Sequence, residues 1–559
     1  MLLNKEERFT FTTQNYIILL FLCATILISP LIDNKILPGH DYTFHVTRIL
    51  DVAEALKEGI FPVRMYVDEI QFWGTPVGIF YPGLFVYIPA LLKNAGVPIE
   101  ICYNFFIAMI IYLGAISSWY GFTMLTRSKT TGFFSAVLYI SSGWYLIDAY
   151  IRNALGELLG LSFLPLAIAC IIAFITKSKV PIKHYVLGIL SISAIIESHV
   201  LTSVFLVIFT ILFFLAHIRY ISAKTIKRLL CLAFFIFILN ATFIVPFLLY
   251  YNKVPVDIDF VNSFSRQGWS LKLLFNLIVI ENFWIFIALY FLFSTYLNNF
   301  YGTFLFNKSL LRKKVFPYYA KCFLIGLFFV FISSDLFPWN YLYPLKRFLE
   351  VMQFPWRFLG IATLFLCACG GFGFRLLFQK AKFKNCSIIL LMGITCITNL
   401  LYLNHLDPVP FQKVVHKIYW NRIFHNAADD DYLYMGMNAK ELFAMKNQYI
   451  SEAVICDWNK VLTNVSFSYF ANENSTIILP IVNYPGYVAT DQKGDILQIR
   501  ENNNHMMTLF LPKGEGRIKV RYDGLMLFRV ADTISGIAFF ILLMYIIKMQ
   551  KQKRWCKLM

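Results

Sequence analysis

Long apolar runs recur along most of this 559-residue chain. A run of about 18 residues or more crosses the roughly 30 Å hydrocarbon core of a bilayer as an α-helix, which satisfies its own backbone hydrogen bonds. Only 15% of the residues are charged, whereas about a quarter are charged in an ordinary soluble domain. The sequence therefore predicts a polytopic α-helical membrane protein, and it excludes a disordered chain and a freely secreted domain.

Basic residues are distributed unevenly between the segments that join these runs. Twelve spans can be counted, and an even number places both termini on the same side of the membrane. The segments on that side hold 25 of the 50 Lys and Arg residues but only two of the 32 acids. Because Lys and Arg are enriched in cytoplasmic loops, both termini are predicted to be cytoplasmic, and the net charge of +18 needs no nucleic-acid partner. The predicted spans are 15–32, 100–124, 131–147, 157–176, 185–198, 201–216, 229–250, 281–298, 319–334, 358–374, 386–403 and 530–547.

One further apolar stretch, residues 79–92, is predicted not to cross the membrane. It is short and broken by Pro82, Gly83 and Pro89, and counting it as a span would place the basic residues of the next loop outside. Irregular backbone is tolerated at membrane depth only where protein covers it. We therefore interpret this stretch as a re-entrant or interfacial segment.

The first long outer segment, residues 33–99, begins with an amphipathic pattern that predicts a helix from Tyr42 onward, lying along the membrane surface. Asp41, His45 and Arg48 are spaced i, i+4 and i+7, so they share one face of this helix. A carboxylate, an imidazole and a guanidinium are thus expected together at the boundary between water and lipid.

The second outer segment, residues 404–528, is polar and shows strand-like alternation, for example in 466–470 and 517–522. It predicts an extracytoplasmic β-sandwich-like domain. Residues 1–403 would then form the membrane domain, and residues 529–559 the last transmembrane helix with a basic cytoplasmic tail.

Ionisable residues of the membrane part fall at outer helix ends or in outer loops. An ion-coupled transporter would be expected to carry some of them near the bilayer midplane. The pattern instead predicts an active site at the outer face, supplied sideways by a lipid and from outside by a polar partner. The residues concerned are Arg152, Glu157, Glu197, His199, Arg266, Glu281, Asp335, Arg347, Glu350 and Arg357.

Several motifs occur in an order that resembles a known family. The set resembles the bacterial multi-pass membrane family labelled 6-pyruvoyl-tetrahydropterin synthase-related and, more broadly, the GT-C class of glycosyltransferases, which take sugars from polyprenyl-phosphate donors. The resemblance covers roughly residues 15–370, and no pterin chemistry is inferred from the label. The motifs are Gly39-His-Asp41, Phe44-His45, Arg48-Ile49, Tyr150-Ile-Arg-Asn-Ala-Leu-Gly-Glu157, Ser198-His199 and Gln353-Phe-Pro-Trp-Arg357.

This resemblance implies a GT-C-like fold and an inverting transfer, in which an acid of the first outer segment removes a proton from the acceptor hydroxyl. Asp41 occupies that position, with Glu157 and Glu54 as the other candidate bases. The alternative for Asp41 is that it caps the helix that follows it. Many GT-C enzymes have paired acids at this position, whereas the neighbour of Asp41 in this chain is His40. Metal dependence therefore stays open: the protein needs no cofactor, or it binds a divalent metal through His40 and His45.

The leaving group of such a transfer is a lipid phosphate, so cationic side chains should face it. His45, Arg48, Arg152, His199 and Arg357 are the predicted substrate-binding residues. The alternative for each arginine is that it anchors a helix end at the interface. The predicted partners are a polyprenyl-phosphate-linked sugar donor, a glycan or lipid acceptor and the lipid bilayer.

Three functions remain open at this point. The first is a glycosyltransferase in the plasma membrane of a bacterium, with its active site on the extracytoplasmic side. The second is a transporter or flippase for lipid-linked sugars, and the third is a non-catalytic partner in polysaccharide assembly. For the enzyme, we expect the outer domain to lie over the site as a platform for the acceptor.

Overall fold

The structure is a computed structural model that describes residues 12–32, 36–67, 73–254, 316–339, 341, 352–380, 392–401, 432–437 and 448–558. Within these ranges the chain is mostly helical up to residue 401 and forms strands after residue 448. The helices are α1 (Thr13–Leu27), α2 (Tyr42–Lys57), α3 (Val77–Phe80), α4 (Tyr87–Asn94), α5 (Ile99–Thr126), α6 (Lys129–Ile140), α7 (Gly143–Leu146), α8 (Leu155–Thr176), α9 (Ile182–Ile196), α10 (Val200–Ala216), α11 (Ala223–Leu239), α12 (Ala241–Lys253), α13 (Phe316–Ile332), α14 (Leu359–Lys380), α15 (Met392–Leu401) and α16 (Met526–Leu558).

Several of these helices are apolar and long, as a membrane protein requires. Among the described residues, four helical segments are long and apolar enough to cross a bilayer, and a fifth results if α11 and α12 are counted together. The twelve predicted spans are therefore not confirmed. Most other predicted spans coincide with apolar helices of 10–17 residues, and 15 helical residues measure only about 22 Å. The span 281–298 and the first part of 386–403 lie outside the described residues.

The predicted span 229–250 is wrong as a single helix. The chain bends by 82° between α11 and α12. Asn240 lies at the bend, where its amide nitrogen donates to the Ser193 hydroxyl at 2.8 Å and to the Ile236 carbonyl at 2.6 Å. The apolar run does not reveal this bend, and the Ser193 partner of Asn240 lies in another helix, α9.

The central helices of the membrane part pack with their backbones close together. A Cβ atom at Gly371 of α14 would lie 2.6 Å from the Ser135 nitrogen of α6, and one at Gly121 of α5 would collide with the Pro165 backbone of α8. Small residues permit this approach between membrane helices. The packing brings together the start of α8, which carries Glu157, and the 3-10 turn just before α14, which carries Arg357.

Helix α2 begins at Tyr42, as predicted, but it is more enclosed than a helix lying on a membrane surface. Arg48 and Asp51 are both buried. Asp51 accepts a hydrogen bond from the Val67 backbone nitrogen at 3.1 Å. The apolar periodicity identified one covered face, but the loop that follows α2 covers the polar side as well.

The segment 79–92 is broken at Pro82 and Gly83, as predicted, but Pro89 lies in the first turn of α4 and does not break it. Helix α3 ends at Phe80, and a short 3-10 turn, Leu84–Val86, precedes α4. The apolar side chains of Leu84 and Leu91 are exposed. The pieces are too short to cross a bilayer, and they place Tyr81 between α3 and the turn.

The predicted β-rich domain is confirmed for residues 448–525, which we call the β domain. Its two antiparallel sheets have the strand orders β1-β4-β8-β7 and β2-β3-β9-β5-β6, and their inner faces share one apolar core. The strands are β1 (Ile450–Ser451), β2 (Val454–Val461), β3 (Asn464–Ala471), β4 (Ser475–Val482), β5 (Tyr487–Thr490), β6 (Ile496–Leu497), β7 (Ile499–Glu501), β8 (Met506–Leu511) and β9 (Gly514–Tyr522).

The β domain is joined to the membrane part by specific contacts. The Val482 nitrogen donates to the Trp73 carbonyl at 3.1 Å. The Tyr250 hydroxyl of α12 is hydrogen bonded to the Pro485 carbonyl and lies 2.9 Å from the Tyr522 hydroxyl. These contacts attach the domain to the segment that leads into α3 and to α12.

Candidate active site

The loop before α2 is held against residues 151–155 by its backbone. The Asp41 nitrogen donates to the Arg152 carbonyl at 2.8 Å, and the Gly39 nitrogen donates to the Asn153 side chain at 2.8 Å. A Cβ atom at Gly39 would lie 2.6 Å from Asn153 Oδ1, so only glycine fits this approach. Asp41 is therefore fixed beside Arg152, although more than a hundred residues separate them.

Arg152 is the centre of a buried group of charges. Its Nη1 atom contacts Asp148 Oδ1 and lies 3.0 Å from Glu157 Oε2. A π-helical turn, Ile147–Ile151, carries Asp148, and Asn153 has a positive φ of 53° that redirects the chain into α8. The local backbone thus positions all three charged side chains.

Arg357 completes this group from the other side. It lies in a 3-10 turn, Pro355–Phe358, and its Nε atom is 3.6 Å from Glu157 Oε2, which is too long for a hydrogen bond. Within the described part of the chain, the buried Nε and Nη1 atoms of Arg357 have no hydrogen-bond partner. We call Asp41, Asp148, Arg152, Glu157 and Arg357 the charge cluster.

Aromatic rings cover the two arginines. The Arg152 guanidinium lies 4.4 Å from the centroid of the Trp356 ring, and Trp356 stacks on Phe354 at 4.4 Å. Rings at this distance attract a cation and exclude water from it. Trp356 therefore packs directly on the charge cluster.

Among the residues that the structure describes, no group is hydrogen bonded to the Asp41 carboxyl. It is at the N-cap position of α2, but it makes no capping hydrogen bond, so the helix-cap alternative is wrong. Burial raises the pKa of Asp41, and the charges of Arg152 and Arg357 oppose that shift. No hydrogen bond to this carboxyl is found in the described ranges, so it can accept a proton from a bound molecule.

His199 and Tyr81 lie beside the cluster. His199 Nδ1 is 2.9 Å from the Thr202 hydroxyl, and the imidazole caps α10. The Tyr81 ring lies 6.3 Å from His199 and 6.1 Å from His45. Tyr81 was not predicted, and the only signal for it was its place at the Tyr81-Pro82-Gly83 break.

Two of the residues weighed from the sequence lie apart from the cluster. Glu54 is exposed and forms a salt bridge with Lys57 at 2.6 Å. His40 is exposed, although its charge acts on Asp41. Among residues that the structure describes, no three His, Cys, Asp or Glu side chains are grouped to hold a metal ion.

No protein-family model and no curated protein matches this chain. The label 6-pyruvoyl-tetrahydropterin synthase-related therefore stays an expectation. Solved structures that are similar to this chain include the following two. The archaeal oligosaccharyltransferase AglB from Archaeoglobus fulgidus, in complex with an inhibitory peptide and a dolichol-phosphate, has 14% identity and a TM-score of 0.41, over 78% of this chain and 59% of that chain. ArnT from Cupriavidus metallidurans, bound to undecaprenyl phosphate, has 10% identity and a TM-score of 0.29, over 71% of this chain and 89% of that chain.

Proposed function

We propose that this protein is a membrane glycosyltransferase. It would move a sugar from a polyprenyl-phosphate donor to a cell-envelope glycan or lipid at the outer face of a bacterial plasma membrane. One observation carries the proposal: a carboxyl without a protein partner, that of Asp41, is held beside Arg357, whose buried Nε and Nη1 donors are also unpaired within the described residues. The motif resemblance and the excess of basic residues on the inner side support it.

The two arginines have different environments, and so we assign them different parts. Arg152 is bonded to Asp148 and Glu157, so it mainly supplies a fixed positive charge. Arg357 is only loosely held by Glu157. A phosphate oxygen can accept charge-assisted hydrogen bonds from the Nε and Nη1 atoms of Arg357, which have no partner among the described residues.

The proposed step is a single displacement. Asp41 takes the proton of the acceptor hydroxyl, and the hydroxyl oxygen forms a bond to the anomeric carbon of the sugar. The bond between that carbon and the phosphate oxygen breaks, and its electron pair stays on the phosphate facing Arg357. A positioned general base contributes about 10²–10⁴-fold. Glu157 is a positioning residue in this scheme, because it is already bonded to Arg152.

The transporter and assembly-partner alternatives do not call for a carboxyl of this kind. Transport of a lipid-linked sugar breaks no covalent bond, so it needs no base beside the phosphate. An assembly partner needs neither a general base nor a phosphate-binding arginine. An enzyme is therefore the function that this site supports best.

Cell-envelope glycans of a strain that lacks this protein test the proposal. The strain is complemented with the wild-type chain, with Asp41→Asn or with Glu54→Gln, and glycans are compared by mass spectrometry at equal protein abundance. We expect one sugar modification to be lost in the deletion strain and with Asp41→Asn, and to be restored by Glu54→Gln. Full restoration by Asp41→Asn would refute the assigned base.

A further inference from the structure

Tyr81 lies beside the charge cluster, and the proposed function does not use it. No hydrogen bond to its phenol hydroxyl is found among the described residues, and the oxygen is not one of the enclosed polar atoms there. Tyr81 is half-buried, as are Asp41 in the cluster and Trp356 next to it. The hydroxyl is therefore a free hydrogen-bond donor that a bound molecule can reach.

The Tyr81 hydroxyl lies against the backbone of α8 just before Glu157. A Cβ atom at Gly156 would collide with the Tyr81 oxygen and would lie 2.9 Å from the Tyr81 Cζ atom, so a larger residue at this position would displace the ring. The charges of Asp41, Arg357 and Glu157 all act on the phenol. The hydroxyl is thus close to both the proposed base and the arginine that is assigned to the phosphate.

Arg48 fixes the position of Tyr81 through the ring and through the backbone. Its guanidinium lies 4.4 Å from the centroid of the Tyr81 ring. Its Nη2 atom donates to the carbonyl of Pro82, the next residue, at 2.6 Å. The Phe44 ring, one turn earlier in α2, packs against the Tyr81 ring with 5.2 Å between centroids. Helix α2 therefore holds the phenol in place at the break between α3 and α4.

Arg48 itself is too enclosed to bind a substrate phosphate. It is 1% exposed, and it borders a cavity of about 10 Å³ that His45 and Glu197 also line. That volume holds about one water molecule. No salt bridge to Arg48 is found in the described ranges, and burying a charge without a partner is costly. Its contacts with Tyr81 and Pro82 are therefore the role that its position supports.

The Tyr81 phenol is suited to donate a hydrogen bond to a phosphate. Burial raises the pKa of Tyr81 to about 12, and the charge of Arg48 opposes that shift. A phosphate monoester loses its last proton at about pH 6, so the phenol keeps its own proton beside the leaving phosphate. Among the substrate groups of the proposed reaction, the phosphate is the charged acceptor, and hydrogen bonds to charged acceptors are the stronger ones.

We propose that Tyr81 is a further substrate-binding residue, whose hydroxyl donates to the lipid phosphate together with Arg357, and that Arg48 is the positioning residue that holds Tyr81 there. This inference rests on the proposed function and adds two residues to its phosphate site. It also changes the role of Arg48, which the sequence predicts to contact the substrate and which would instead act through Tyr81.

Binding of undecaprenyl phosphate to the purified full-length protein in detergent tests the Tyr81 hydroxyl. Tyr81→Phe keeps the ring and removes only the hydroxyl, so we expect the affinity to fall by about 10-fold or more at an unchanged melting temperature. Tyr87→Phe is the matched control, because the Tyr87 hydroxyl already accepts a hydrogen bond from the Val63 nitrogen at 2.8 Å. This control should bind undecaprenyl phosphate like the wild type.

The wild type separates the two ways in which this experiment can fail. If the wild type binds undecaprenyl phosphate and Tyr81→Phe binds it equally well, the role of Tyr81 is overturned and the proposed function is not. If the wild type does not bind undecaprenyl phosphate, the proposed function fails at its phosphate site, and this inference fails with it.

A double-mutant cycle tests whether Arg48 acts through Tyr81. If Arg48 only holds the phenol, Arg48→Gln should weaken binding of undecaprenyl phosphate by no more than Tyr81→Phe does, and the double variant should bind like Tyr81→Phe alone. A further loss in the double variant would show that Arg48 acts on the site independently of Tyr81. That result would overturn the positioning role, as would full affinity in Arg48→Gln.

A fluorine label reports the position of the ring independently of affinity. Fluorotyrosine is incorporated at position 81 or, as the control, at position 87, and fluorine NMR spectra are compared with and without Arg48→Gln in the absence of lipid. We expect Arg48→Gln to move the resonance at position 81 and to leave that at position 87 in place. Movement of both resonances would show a general loss of local structure, and movement of neither would show that Arg48 does not hold the ring. Either result would overturn the positioning role.

Discussion

The charge cluster and the small cavity lined by His45, Arg48 and Glu197 are neighbours, but their ionisable groups are arranged in opposite ways. In the cluster, Glu157 bonds to Arg152 and lies 3.6 Å from Arg357. In the cavity, Glu197 and Arg48 line the same space, yet no ion pair joins them within the described residues. Charges that are paired hold each other in position, whereas buried polar groups without partners are retained at a cost to stability. The difference separates charged residues that hold each other in position from polar residues with atoms that have no described partner.

The largest expected effect comes from breaking the paired side. Glu157→Gln leaves Arg152 and Arg357 without their shared carboxylate, and removing one partner from a buried pair costs about 3–5 kcal/mol. We expect the free energy of unfolding in denaturant to fall by about that amount. Glu197→Gln is the matched control, because it changes a buried glutamate without a described partner. Equal destabilisation by both substitutions would show that the paired and the unpaired glutamate contribute equally to stability, which contradicts the comparison.

Substitution of Arg357 should have a smaller effect, and it should weaken lipid binding rather than lower the free energy of unfolding. Its free donors are assigned to the lipid phosphate, and hydrogen bonds to charged groups contribute about 1.5–3 kcal/mol. Arg357→Gln should therefore weaken undecaprenyl phosphate binding by roughly 10-fold to 100-fold. Arg64→Gln, at an arginine bonded to Asp532 at 2.6 Å, is the control and should bind normally. Unchanged affinity in Arg357→Gln would show that Arg357 does not bind the phosphate.

Local patterns predicted much of the site. The spacing of Asp41, His45 and Arg48 predicted one helical face, and α2 begins at Tyr42. The concentration of charge at helix ends predicted that Arg152 and Arg357 would meet. Periodicity and charge position are properties of short stretches, so they can be read before the fold is known.

Other features depend on contacts between distant segments, and the sequence could not show them. Glu197 differs from Glu157 only in what surrounds it in space. The same holds for the bend at Asn240, which needs Ser193 as a partner, and for Tyr81, whose ring is placed between His45 and His199. The count of twelve spans is not confirmed for a related reason, since several helices at predicted positions among the described residues are too short to cross alone.

The central claim is that Asp41 acts as the base for a sugar transfer. Single-turnover transfer by the purified protein, with a sugar-bearing undecaprenyl phosphate as the donor, tests it most directly. For Asp41→Asn we predict donor affinity within a factor of about two of the wild type and a transfer rate lower by about 10²-fold or more. A transfer rate in Asp41→Asn equal to that of the wild type would contradict the account, as would a rate loss explained entirely by lost donor binding.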